Sequence, residues 1–207
     1  MVLQRFIFYT LGIFIMTLGI ALTIQSLLGA SPFDALLVGL HRTFGFTVGS
    51  WEIVLGSIMV LSNALAEKRR PEYFALITSF ITGACIDFWL LLLNDLINPE
   101  VFFMQMIVLL TGMIVSSLGI AVNLQADFAP NPMDRSMLVI RKLTGLNIFV
   151  SRGLLSIVLV IFAFIFSGAI GIGTLIYALL SGLVINYFMP FVAKFERKKI
   201  HQVEQFK

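Results

Sequence analysis

Two short segments of the sequence, one hundred positions apart, each carry a carboxylate two residues after a proline. The segments read GASPFDALLVGL and APNPMDRSMLVI, and their polar and proline residues are Ser31, Pro32, Asp34, Asn131, Pro132 and Asp134. Ser or Asn before Pro is typical of a helix start, where free N–H groups and the helix dipole favour polar ligands. A carboxylate in apolar surroundings is costly and indicates a proton or cation site. Each aspartate either caps its own helix or lines a polar cavity shared by both segments, and the recurrence favours the cavity.

Five further polar residues extend the candidate substrate-binding set. Gln25 and Gln125 precede the two segments, Arg135 follows the second aspartate, and Asp87 aligns with Asn186 when the two halves of the chain are compared. Asp87 either belongs to a solute or proton pathway or is solvated near the outer membrane interface. Arg135 either pairs with a carboxylate or a lipid head group, or anchors the chain on the cytoplasmic side.

Residue patterns typical of catalysis are missing from the sequence. His41 and His201 stand alone, no His, Asp and Glu set has metal-ligand spacing, and neither a phosphate-binding glycine loop nor a nucleophile elbow occurs. We therefore expect no enzymatic activity, no bound metal and no cofactor. The basic tail is expected to lie against anionic lipid rather than to bind nucleic acid.

The elements that position these residues lie in a chain too apolar for a water-exposed surface. Of the 207 residues 59% are apolar and 12% charged, and the mean hydropathy is +1.00, which indicates an integral membrane protein. A span needs about 20 apolar residues, so we predict an all-α polytopic protein with one membrane domain, residues 1–207. The six predicted spans are Arg5–Leu28, Ser50–Ala66, Pro71–Leu93, Val101–Ala126, Phe149–Phe166 and Thr174–Lys194.

The chain contains an internal duplication. The segment Leu18–Asp34 aligns with Leu118–Asp134, sharing the LGIA block, a glutamine, a proline and an aspartate. In both copies a basic pair and a glycine follow, at Gly45 and Gly145. We therefore predict a first repeat at 1–100, a second at 101–194 and a basic cytoplasmic tail at 195–207, each repeat with a short capped helix after its first span.

Three spans per repeat place the two repeats in opposite orientations in the bilayer. Lys and Arg accumulate near the N-terminus, in EKRR, in the loop before Arg152 and in the tail, whereas the connections NDLINPE and SGAIGIG carry none. This alternation predicts that both termini are cytoplasmic. The short helices, with about a dozen residues, cannot cross a bilayer, so they either re-enter it part-way or lie at its surface.

The segment LGASPFDALLVGL, the duplication and the degenerate copy APNPMD together resemble the YczE/YyaS/YitT-like family of bacterial integral membrane proteins. The motif residues are Gly29, Ser31, Pro32, Asp34, Leu36, Gly39 and Leu40. The resemblance covers nearly the whole chain and implies a small multi-pass protein of the bacterial plasma (inner) membrane. It supplies no substrate and no functional residues.

Two functional hypotheses follow from these patterns. The first is a transporter or permease for a small or amphiphilic solute, in which the inverted halves rock around a proton- or cation-binding site at the two motifs. The alternative is a non-transporting accessory or regulatory factor for another membrane or biosynthetic system. The expected partners are the lipid bilayer and a small-molecule substrate of unknown identity; small-residue faces suit internal packing and a homodimer equally well.

Overall fold

A computed structural model describes the backbone of residues 2–126 and 131–205 and the side chains of residues 5–126, 131–147 and 150–194. Within these residues all regular structure is helical. The eight helices are α1 (Val2–Gln25), α2 (Pro32–Phe44), α3 (Val48–Glu67), α4 (Tyr73–Leu93), α5 (Phe102–Gln125), α6 (Pro132–Thr144), α7 (Ile148–Ile165) and α8 (Ile172–Gln205). The all-α prediction is confirmed.

Six of the eight helices correspond to the six predicted spans. Five are long and apolar enough to cross a membrane, namely α1, α3, α4, α5 and α8, and α7 contributes a shorter apolar stretch at Val150–Ile165. One predicted end was wrong. The first helix ends at Gln25 rather than Leu28, because the chain turns through Leu27 and Gly29 with positive φ. The last apolar span ends at Lys194 within the described side chains, as predicted. The helix that contains it passes through Pro190 and continues beyond the span to Gln205.

The two motif segments each begin a helix of 13 residues, as predicted. In α2 the cap is Ser31, and Gly45 follows the last turn with φ of 76°. In α6 the cap is Asn131, and Gly145 follows with φ of 73°. A positive φ strains any side chain other than glycine, so the conformation explains why both short helices end at a glycine.

Helices α1 and α5 form the centre of the molecule and run antiparallel. A methyl group added at Gly12 would lie 2.6 Å from the backbone nitrogen of Asn123, and one at Gly19 would collide with the backbone of Ser116. As residue numbers rise along α1, those of the facing residues fall along α5, which establishes the direction. Glycines let two membrane helices approach this closely.

Each short helix rests on the connection between the last two helices of the other half. Near α2, Arg42 and Thr43 donate hydrogen bonds to the carbonyls of Ser167 and Phe166, and Ala30 N–H donates to Ala169. Residues 32–40 of α2 are all buried, whereas residues 41–44 are exposed, so all but the last turn of this helix lies inside the protein.

Helix α6 is held mainly by ion pairs between side chains. The Arg135 guanidinium lies 2.8 Å from carboxylates of both Glu67 and Glu72, and the Lys142 ammonium lies 2.7 Å from Glu67. The amide of Asn63 adds a hydrogen bond to Ser136 at 3.0 Å. Ion pairs therefore attach α6 to the end of α3, whereas hydrogen bonds to backbone carbonyls attach α2 to the residues after α7.

Candidate functional site

The starts of α2 and α6 meet at a single cavity of about 330 Å³. All eight helices contribute residues to its wall, together with the two cap residues Ser31 and Asn131. The lining residues are Met16, Ile20, Ser31, Pro32, Phe33, Asp34, Glu52, Thr82, Ile120, Asn123, Leu124, Asn131, Met133, Asp134, Arg152, Gly153, Ser156, Ile157, Tyr177, Ala178, Leu179 and Ser181. The volume lies at the lower end of the range for small-molecule sites, and the wall is apolar with a few polar groups.

At the first motif, the cap and the cavity involve the same carboxylate. Ser31 Oγ accepts a hydrogen bond from the Asp34 N–H at 3.2 Å, and donates one to Asp34 Oδ2 at 2.5 Å. The Asp34 side chain is 4% exposed and lines the cavity. Asp34 therefore bonds within its own helix start while facing the cavity, so the two interpretations of this residue are compatible.

At the second motif, the cap residue leaves the carboxylate free of the helix. Asn131 Oδ1 accepts a hydrogen bond from the Met133 N–H at 3.0 Å. Asp134 lines the cavity and interacts electrostatically with the guanidinium of Arg152 on α7. Pro132 is fully buried beneath the cavity wall, next to Gly56 of α3.

Glu52 and Arg152 are cavity residues that the sequence analysis missed. Each is the fifth residue of its helix, α3 or α7, and the two stand one hundred positions apart, as the motif aspartates do. Glu52 is 2% exposed. An ionisable residue inside an apolar helix indicates function by default, and this signal, combined with the repeat spacing, could have marked both as candidates.

Several polar groups of the wall have no partner within the described side chains. The Thr82 hydroxyl is buried without a hydrogen bond. Among the described side chains Glu52 makes no hydrogen bond or ion pair, and Asp134 and Arg152 interact with each other only at longer range than an ion pair. Buried polar groups are normally paired with protein or with water. These side chains can therefore pair with water or with a polar molecule in the cavity.

Other candidate residues lie away from the cavity. Asp87 Oδ1 accepts a hydrogen bond from the Gly49 N–H at 2.8 Å, which caps the start of α3 from α4. Arg135 points to Glu67 and Glu72 rather than into the cavity. Pairing with a carboxylate was one of the predictions for Arg135. The cap that Asp87 makes was not predicted.

The three remaining candidates also lie outside the cavity wall. Gln25 and Gln125 are half-buried at the ends of α1 and α5 and are not part of the wall, and Asn186 is exposed on α8. The structure thus brings five of the eleven candidates to the cavity, namely Ser31, Pro32, Asp34, Asn131 and Asp134. Within the described residues, no three His, Cys, Asp or Glu side chains converge on a metal-sized site.

Comparison with known proteins shows the family of the chain. Residues 3–190 match the model of a family of unknown function, DUF6198. The chain is 43% identical to "Uncharacterized protein YyaS" of Bacillus subtilis (strain 168), over 92% of this chain and 95% of the relative. It is 32% identical to "Uncharacterized membrane protein YczE" of the same organism, over 90% and 86%.

A more distant relative is an "Uncharacterized protein" of Haemophilus influenzae Rd, 27% identical over 87% of this chain and 81% of the relative. No solved structure matches the chain. The apolar helices and the membrane relative agree that this is a multi-pass membrane protein. The match over residues 3–190 shows that the chain belongs to the DUF6198 family, and the two Bacillus proteins YyaS and YczE are its relatives.

Proposed function

We propose that the protein is a transporter or permease for a small or amphiphilic solute, coupled to a proton or another cation. The observation that carries the proposal is the convergence of both motif aspartates and Glu52 on one cavity between the two halves of the chain. Three carboxyl groups face one guanidinium there, so the cavity favours cations. Intramembrane carboxylates at a central cavity are typical of proton and ion pathways.

Inverted repeats would explain how such a cavity changes its access. Equivalent positions of the two halves line it in pairs, including Ile20 with Ile120 and Asp34 with Asp134. The antiparallel packing of α1 on α5 is the relation expected of equivalent helices in inverted repeats. Rocking of one half against the other would expose the cavity alternately to each side.

The proposed orientation places both termini in the cytoplasm of a bacterium, with the protein in the plasma membrane, because Lys and Arg alternate between loops. Helix α2 then enters from outside and α6 from inside. The burial of residues 32–40 supports a re-entrant α2, since a helix lying at the surface would expose one face. No enzymatic step or cofactor forms part of the proposal.

Proteoliposomes that contain an internal pH dye test this function. The probes are two quaternary ammonium ions, tetramethylammonium and dodecyltrimethylammonium, which carry no titratable proton of their own. Adding a transported cation outside should raise the internal pH as protons leave. Asp34→Asn with Asp134→Asn, or Glu52→Gln alone, should reduce this rate at least about tenfold, because the cation loses its charged partners.

The matched control is Asp95→Asn, an exposed aspartate outside the cavity, which should leave the rate unchanged. Transport that persists in the carboxylate variants would remove these residues from the mechanism. A protein that moves neither cation but co-purifies reproducibly with a protein partner would favour the accessory or regulatory role instead.

A further inference from the structure

Two helix pairs that occupy equivalent positions in the repeats pack very differently. Helices α3 and α4 are in close contact: a methyl group at Gly49 would collide with the carbonyl of Gly83, and the reverse also holds. A methyl group at Gly56 would collide with the hydroxyl of Ser79. Asp87 closes the same contact with its hydrogen bond to Gly49. This side of the cavity is sealed.

Helices α7 and α8 are separated. Gly182, which aligns with Gly83, and Gly153 of α7 have no atom within 4 Å of an added methyl group. Among the described residues α7 packs mainly on α2 and α8 mainly on α5, and the two make at most marginal contact with each other. Asn186, which aligns with Asp87, is exposed. The cavity is therefore open between these two helices.

In the proposed six-span topology the opening lies at the depth of the lipid chains. Its rim carries Ile157 of α7 and Leu179 of α8, which line the cavity yet are 59% and 64% exposed. Ile157 lies about 12–14 Å from each end of α7 at 1.5 Å per residue. In a helix that crosses the bilayer, this position is near the middle, so the opening faces hydrocarbon rather than water.

We propose that the gap between α7 and α8 is a lateral portal through which a cationic amphiphile reaches the cavity from the membrane. Its charged head group lies among Asp34, Glu52 and Asp134, and its apolar tail passes between Ile157 and Leu179 into the lipid. The proposal rests on the proposed function for the identity of the binding site and adds the class of substrate and its route.

Charge and shape together select this class. The wall has three carboxyl groups against one guanidinium, and both Glu52 and the Thr82 hydroxyl lack protein partners within the described residues, so a cationic head with polar substituents would satisfy them. A purely water-soluble cation gains nothing from an apolar rim at mid-membrane depth. A neutral or anionic amphiphile would leave Glu52 without a counter-charge.

A reversible cross-link across the portal tests the proposal, because the same double-cysteine variant can be compared with the portal open, closed and reopened. Ile157→Cys and Leu179→Cys are combined with Cys85→Ala, which removes the single native cysteine, and a cleavable bifunctional thiol reagent joins the pair. The protein is placed in lipid nanodiscs with trimethylammonium-diphenylhexatriene, a cationic amphiphile that accepts energy from Trp51 and Trp89. The saturable part of the energy transfer, displaced by dodecyltrimethylammonium, measures binding.

We expect saturable binding of this probe and at least about tenfold weaker binding of its anionic counterpart, diphenylhexatriene propionate. Cross-linking should abolish the binding, and reduction of the linker should restore it. Glu52→Gln should weaken it with the portal left open. Binding that is unchanged by the cross-link overturns the portal, as does a cross-link that forms between two copies, which would show that a second chain covers the gap.

The outcomes also separate this inference from the proposed function. Carboxylate-dependent transport of tetramethylammonium, without saturable binding of the amphiphilic probe, would preserve the transporter and overturn the portal and its substrate class. If the wild-type protein neither transports tetramethylammonium nor binds the amphiphilic probe saturably, both proposals are overturned.

Discussion

At the scale of single residues, the two motif aspartates lie in different surroundings. Asp34 is held by the Ser31 hydroxyl, whereas Asp134 is held by no hydrogen bond within the described residues and interacts electrostatically with Arg152. The charge also reverses between the equivalent positions Glu52 and Arg152. The halves share a backbone plan, while their contributions to the cavity differ in charge and in hydrogen bonding.

The difference between the caps predicts unequal costs for removing them. Ser31→Ala should lower the free energy of unfolding by about 2 kcal/mol, since it removes both the cap and a hydrogen bond to a buried carboxyl group. Asn131→Ala removes only the cap bond to Met133 and should cost about 1 kcal/mol. Thermal unfolding in detergent measures both, and equal losses would contradict the special role of the Ser31 hydroxyl.

The ion pairs at the end of α3 predict a second contrast. Glu67, with a side chain only 5% exposed, pairs with Arg135 and Lys142, whereas the more exposed Glu72 pairs with Arg135 alone. Glu67→Gln should therefore cost about 1 kcal/mol and Glu72→Gln about half of that or less. The unfolding midpoints of the two variants measure the two losses of stability. A larger loss from Glu72→Gln would contradict the assignment of Glu67 as the main partner of Arg135 and Lys142.

At the scale of elements, the contrast between the sealed pair α3–α4 and the separated pair α7–α8 can be tested with two alanines. Gly83→Ala should lower the unfolding free energy by about 1–3 kcal/mol, because the methyl group meets the carbonyl of Gly49. Gly182→Ala should be neutral or stabilising by up to about 1 kcal/mol, since alanine favours helix and the space is open.

Unfolding of both variants in detergent checks this contrast. If Gly182→Ala destabilises the protein as strongly as Gly83→Ala, α7 and α8 are packed together in the folded state. A normal stability combined with impaired transport for Gly182→Ala would indicate that the two helices approach each other during the transport cycle.

At the scale of the whole molecule, the proposed inversion places the C-terminal ends of α2 and α6 on opposite membrane faces. Single cysteines at Phe46 and Leu146, both exposed after their helices, report the side when introduced into a Cys85→Ala protein. In intact cells a membrane-impermeant maleimide should label Phe46→Cys, and it should label Leu146→Cys only after permeabilisation. Labelling of both from the same side would rule out inverted repeats.

Most of the helical plan could be predicted from the sequence because its causes are local. Six apolar runs predicted the long helices, and the Ser31–Pro32 and Asn131–Pro132 steps predicted both short helix starts, since caps and turns depend on neighbours in the chain. The repeat spacing also identified Asp34 and Asp134 as a pair. The cap that Asp87 makes at the start of α3 could not be predicted, because its partner, the Gly49 N–H, is remote in sequence.

By itself, then, the sequence determined the membrane class, the order of the helices and the two capped starts, because hydrophobicity and capping act over short stretches of chain. Only the tertiary structure decided that Glu52 and Arg152 join the motif aspartates around one cavity, and that α7 and α8 stand apart where α3 and α4 touch. Both depend on how distant helices pack, and two halves with the same local pattern can pack differently.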